Sequence, residues 1–126
     1  MLSRKENIIQ VKTAAYAARI VKLYQYLLDV KHEQTLSKQI LRSGTSIGAN
    51  TAESRNAQSK ADFISKLSIA LKEADETVFW LKVLHSGDYI TERQLQSMLD
   101  DNVEIIRILV KIIKTTKENM KFEASE

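Results

Sequence analysis

Two groups of residues in this 126-residue chain could do chemistry: scattered carboxylates and histidines, and lysines set at regular spacing. The first group is poor. A di-metal centre in a helical bundle needs a Glu from each of two helices and Glu-x-x-His from each of two more. The nearest approaches are Asp29-x-x-His32 and Glu73-x-x-Glu76, while His85 has Lys82, not a carboxylate, three residues before it. Gly44-x-x-x-Gly48 lacks the Lys-Ser/Thr that completes a phosphate loop, and there is no Gly-x-Ser-x-Gly elbow. The absence of Cys removes disulfides, thiolate metal sites and thiol nucleophiles together. The sequence therefore predicts no catalytic residue, no metal and no cofactor, in a protein that is not an enzyme.

The cations are better ordered. Lys5, Lys12 and Arg19 recur every seven residues, with Lys22 close by. Arg107, Lys111, Lys114, Lys117 and Lys121 make a second stripe. Such stripes are the footprint expected for a phosphate backbone. A solvated helix face looks the same, and late cations favour the helix macrodipole. Residues 1–58 hold nine Lys or Arg against four Asp or Glu, and residues 59–126 hold ten against twelve. The net charge of +3 is too small to prove a nucleic-acid partner by itself. Lys5, Lys12, Arg19 and Lys22, with Lys111, Lys114, Lys117 and Lys121, are the candidate RNA or DNA contacts. Tyr16, Tyr24, Tyr26, Phe79 and Trp80 could stack bases, but aromatic residues at helical spacing more often pack a core or an interface.

Arg42, Ser46, Asn50 and Glu53 fall at i, i+4, i+8 and i+11, one polar line along a helix. Such a line is an interior hydrogen-bond network or a surface site. Interior polar groups must all be partnered, and such networks fix one packing arrangement. The interior, structural reading is preferred, with a contact line for RNA or a partner protein as the alternative.

The elements that carry these residues are helices. Zero Pro and three Gly leave too few breakers for a sandwich or barrel. Apolar spacing predicts four helices, at about 6–31, 36–55, 60–86 and 92–121, with a frayed tail at 122–126. Thr35 is the expected N-cap of the second, Ser59 with Asp62 opens the third, Gly87 ends it, and Thr91 with Gln94 forms a capping box for the fourth. Gly44 and Gly48 imply close packing or a bend in the second helix. Short connections make neighbours antiparallel, so the expected architecture is all-α: an up-down-up-down four-helix bundle forming one domain over residues 1–126. No apolar run reaches the ~18 residues of a transmembrane helix, and no signal-peptide core follows the first residues, which predicts a soluble cytoplasmic protein.

The fourth helix is unusually apolar. Val103, Ile106, Val110 and Ile113 form one stripe, and Ile105, Ile108, Leu109 and Ile112 broaden it beyond the usual ~100°. A helix with two apolar faces contacts its own bundle and a second surface, so a homo-oligomer is expected.

The stretch from Leu41 to Ser54, LRSGTSIGANTAES, resembles a bacterial four-helix-bundle family, that of proteins encoded in intervening sequences of 23S rRNA genes. It is also similar to accessory proteins of diversity-generating retroelements. The family pattern Arg-x-x-x-Ser-Ile-x-x-Asn-Ile-Ala-Glu-Gly is matched by Arg42, Ser46, Ile47, Asn50, Ala52 and Glu53. Phe63, Ala70 and Glu73, then Gly87-Asp88-Tyr89-Ile90, extend the match over most of the chain. Thr51, Ser54 and Gly48 depart from the usual Ile, Gly and Pro. The resemblance implies a bundle that assembles into a ring, a pentamer, without known catalytic activity. It also implies association with nucleic acid, or a role beside an RNA-handling protein such as a reverse transcriptase. A structural protein–protein adaptor with no direct nucleic-acid contact is the alternative.

Overall fold

In the computed structural model, which describes residues 2–125, each helix begins where a side chain can satisfy its first free N–H groups. α1 (Arg4–Asp29) opens on a capping box, in which Ser3 Oγ accepts from the Glu6 N–H at 3.2 Å and Glu6 Oε2 accepts from the Ser3 N–H at 2.6 Å. It ends before the expected Lys31, and His32 takes a φ of 54° to redirect the chain.

α2 (Leu36–Ser54) corrects one expectation. The Thr35 hydroxyl makes no cap; Glu33 replaces it. The Glu33 carboxylate accepts from the N–H groups of Thr35, Leu36 and Ser37 at 2.9, 2.8 and 2.7 Å. A carboxylate takes three donors where a hydroxyl takes one or two, and its charge suits the positive end of the helix.

α3 (Lys60–Ser86) starts as expected, with Ser59 Oγ accepting from the Asp62 N–H at 3.0 Å. Gly87 does follow its end, but with φ −86°; the left-handed turn residue is Asp88, φ 65°. Thr91 and Gln94 form the expected reciprocal cap of α4 (Glu92–Ser125). α4 runs past its expected end at about 121. It stays helical to Ser125, where a Lys60–Glu123 ion pair ties its last turns to the start of α3.

The four helices pack in a cycle, α1 on α2, α2 on α3, α3 on α4 and α4 on α1, with no close backbone approach across the diagonals among the described residues. This is an all-α antiparallel four-helix bundle. Ile9, Tyr16, Ile20, Ile40, Ile47, Leu67, Leu81 and Leu109 are among its fully covered residues. α2 is one uninterrupted helix, and Gly44 serves close approach: a Cβ there would lie 2.6 Å from Cγ1 of Ile20. Asn102 is wholly buried, donating to Tyr16 Oη at 3.2 Å and to the Ala74 carbonyl at 3.3 Å, while Tyr16 donates to the Met98 carbonyl. Burial pushes the Tyr16 phenol up to about 12.

The broad apolar surface of α4 is divided, and its first stripe is split: Ile113 is buried while Val103 and Val110 are not. Ile105, Leu109 and Ile112 point into the core, whereas Val103 and Val110 are 47% and 46% exposed. Val30, inside the expected span of about 6–31, is the residue after α1 and is exposed. Phe79 is 56% exposed, and Trp80 is half-buried edge-on to it.

Candidate nucleic-acid interface

The α1 cations lie along the α1–α4 seam, and the structure divides them. In the middle, Lys12 Nζ sits 2.5 Å from Glu104 Oε1. Arg19 Nη1 lies 2.6 Å from Asp101 Oδ2, and Arg19 also donates to the carbonyl and hydroxyl of Ser97. Asp101 and Glu104 are three residues apart on the α4 edge that faces α1. These two cations are matched by carboxylates, so they do not form one continuous free stripe with Lys5 and Lys22. Lys22 is exposed at the far end, beside Tyr26, Arg93 and Gln94, with no ion pair among the described residues. Lys5 at the near end meets another cation. The nearby Lys111 holds its ammonium below the usual lysine range, and desolvation adds to the effect.

The α4 stripe is divided as well. Lys111 turns toward α1. Lys114, Lys117 and Lys121 edge a shallow groove on the opposite, α3-facing flank, whose floor is Leu71, Val110 and Ile113. A spacing of three and four residues drifts around a helix, so residues read as one stripe straddle two seams.

The polar line of α2 is not an interior network. Arg42 and Glu53 are exposed, Ser46 and Asn50 half-buried. Arg42 reaches across to α3, with Nη1 3.0 Å from Glu73 Oε2 and Nη2 paired with Glu76. Trp80 Nε1 also donates to Glu76 at 3.0 Å, and this bond, ahead of the Arg42 contact, helps hold the Glu76 carboxyl below the usual range despite desolvation. Ser46 Oγ donates to the Arg42 carbonyl and Asn50 Nδ2 to the Ser46 carbonyl, each within α2. Glu53 Oε2 lies 3.5 Å from Lys66 Nζ. The line is a polar clasp on the surface of the α2–α3 seam.

Sequence reasoning missed Glu33, Asn102, and the Ser43–Thr77 hydroxyl pair inside the α2–α3 contact. A carboxylate two residues before an expected cap was the available signal for Glu33. Among the described residues no group of three His, Cys, Asp or Glu gathers where a metal ion could be held, and no helix is long and apolar enough to cross a membrane.

A family model described as 23S rRNA-intervening sequence protein matches residues 5–111. Among solved structures, the chain is similar to a protein of unknown function from the S23 ribosomal protein family of Bacteroides thetaiotaomicron. The two share 53% identity over 87% of this chain and 98% of that one, with a TM-score of 0.87. No curated protein matches.

Proposed function

The chain belongs to the 23S rRNA-intervening sequence protein family, and from that membership we propose that it is a non-enzymatic, oligomeric, nucleic-acid-binding accessory protein of the cytoplasm. The observation that carries this reading is the charge at one end of the bundle. The up-down topology gathers the start of α1, the end of α2, the start of α3 and the end of α4 there. The carboxylates at that end are occupied: Glu6 and Asp62 accept from backbone N–H groups, and Glu53 and Glu123 pair with Lys66 and Lys60. Arg4, Lys5, Lys111, Lys114, Lys117 and Lys121 form no ion pair among the described residues. Glu118 is the one further acid on their stretch of α4. A surplus of free cations on one surface attracts phosphate and releases condensed counterions on contact.

Oligomerisation strengthens such a surface. Exposed Phe79, Val103 and Val110 on α3 and α4 are apolar side chains that a neighbouring subunit can cover. A ring, of five subunits by the family resemblance, repeats the cationic end on every copy, and one long nucleic acid then engages several copies with avidity. The function is accessory, beside an RNA-handling protein that supplies the chemistry.

The test is fluorescence anisotropy with a labelled single-stranded RNA over a salt series. The expected dissociation constant is about 10⁻⁴–10⁻⁶ M per subunit at physiological salt, tightening steeply as salt falls. Absence of binding at low salt replaces this reading with the protein adaptor, for which the same exposed Phe79 and Val103 are the docking residues.

A further inference from the structure

We propose that the groove between the end of α1 and the start of α4 seats one unstacked nucleotide of a single-stranded nucleic acid. The proposal rests on the nucleic-acid reading above and adds a contact at the end of the bundle opposite the free cations that carry that reading. Arg19, Lys22, Leu23 and Tyr26 fall at i, i+3, i+4 and i+7 of α1, so one face of that helix presents all four. The antiparallel packing sets Arg93 and Met98 of α4 beside that face, and these residues border one groove of about 450 Å³. That is the size of a small-molecule site.

The two parts of the groove match the two parts of a nucleotide. Leu23 and Tyr26 are half-buried and Met98 is buried, which gives aromatic and apolar surface for the face of a base. Lys22 and Arg93, one on each helix, are exposed and form no ion pair among the described residues. They are free to make charge-assisted hydrogen bonds to the phosphate. Arg19 is not free, because Asp101 and Ser97 already hold its guanidinium. No acid borders this groove among the described residues. Glu92, next to Arg93 in the chain, lies 3.1 Å from His85 instead. The groove beneath Lys114, Lys117 and Lys121 differs: its floor is aliphatic, and Glu118 stands in its wall. A duplex keeps its bases stacked and paired, so a single strand is the form that offers a base face to Tyr26.

Fluorescence anisotropy with a labelled single-stranded RNA and with the matching RNA duplex tests the groove, with circular dichroism confirming the fold of each variant. Tyr26→Leu should weaken single-strand binding about tenfold at low salt, because one stacked base is lost. Its salt slope and its affinity for the duplex should be unchanged. Tyr26→Phe keeps the ring and should bind as the wild type does. Lys22→Gln combined with Arg93→Gln should lower the single-strand slope of log K against log salt by about 0.7, the share of one phosphate. Both of those residues are exposed, so this double variant folds and decides the matter even where Tyr26→Leu does not. Equal losses on single strand and duplex in Tyr26→Leu, or Tyr26→Phe as weak as Tyr26→Leu, would mean that no base is seated and overturn the proposal. Displacement of the strand by an equimolar amount of adenosine monophosphate would assign the groove to a free nucleotide and overturn it too. Single-strand binding and slope unchanged in Tyr26→Leu and in the double variant overturn the groove alone and leave the cationic end as the contact. A wild type that binds no RNA at low salt overturns the groove together with the functional reading.

Discussion

Glu33 is buried and yet carries a charge that α2 requires. Desolvation alone would raise its pKa, but the N–H groups of Leu36, Ser37 and Thr35 hold it below the ordinary value of 4.5. A depressed carboxyl pKa contributes stability that is present above the ordinary value and lost as pH falls through the lower folded value. Glu33→Gln should therefore destabilise the bundle by about 1–2 kcal/mol at neutral pH. Thermal unfolding by circular dichroism at neutral pH and at pH about 3 checks this, since the gap between variant and wild type should close in acid. Tyr16 gives the opposite sign. With its phenol pushed up to about 12, its contribution is present below pH 10 and lost as pH rises through about 12. Glu53, by contrast, lies in an exposed pair with Lys66. Glu53→Ala should change stability by less than about 1 kcal/mol, which chemical denaturation can measure. A larger loss would restore the interior role its motif suggested.

At the scale of elements, α2 is the helix whose composition is hardest to reconcile with its propensity. Its Ser, Thr and Gly residues are poor helix formers. The packing explains them. Thr45, Ser46 and Thr51 return their hydroxyls to carbonyls one turn back, and Ser43 bonds Thr77 on α3. Gly44 lets α2 press onto Ile20 of α1. Because Ile20 is fully enclosed, it has no room to yield. Gly44→Ala should cost about 1–3 kcal/mol despite the better helix propensity of Ala, and denaturant midpoints will give the value. A gain in stability would mean that α1 and α2 can separate by a few tenths of an ångström at little cost.

Across the whole molecule, the cycle of four helices leaves apolar side chains at the surface: Val11 on α1, Phe79 on α3, Val103 and Val110 on α4. The expected consequence is self-association. Light scattering at micromolar concentration should give a mass several times the 14.4 kDa of one chain. Val103→Asp with Val110→Asp should reduce that mass without unfolding the bundle, because both side chains lie outside the core. A clean monomer for the wild type would remove the ring.

The helices, their order and the N-caps of α3 and α4 are legible in the amino-acid sequence alone. Those depend on local rules: apolar spacing sets a face, Ser59 and Thr91 satisfy nearby N–H groups, and scarce turn residues limit the connections. The sequence also carries the family motif from Arg42 to Glu53. The tertiary structure decided what each charge meets. Arg19 and Asp101 are far apart in the chain and become partners only when α1 and α4 pack antiparallel in one register, as do Lys12 and Glu104. The packing also fixed the rotation of α4, because apolar residues surround so much of that helix that spacing alone selects no single inward face, and only fit against Tyr16 of α1 and Ala74 of α3 turns Asn102 in and Val103 out.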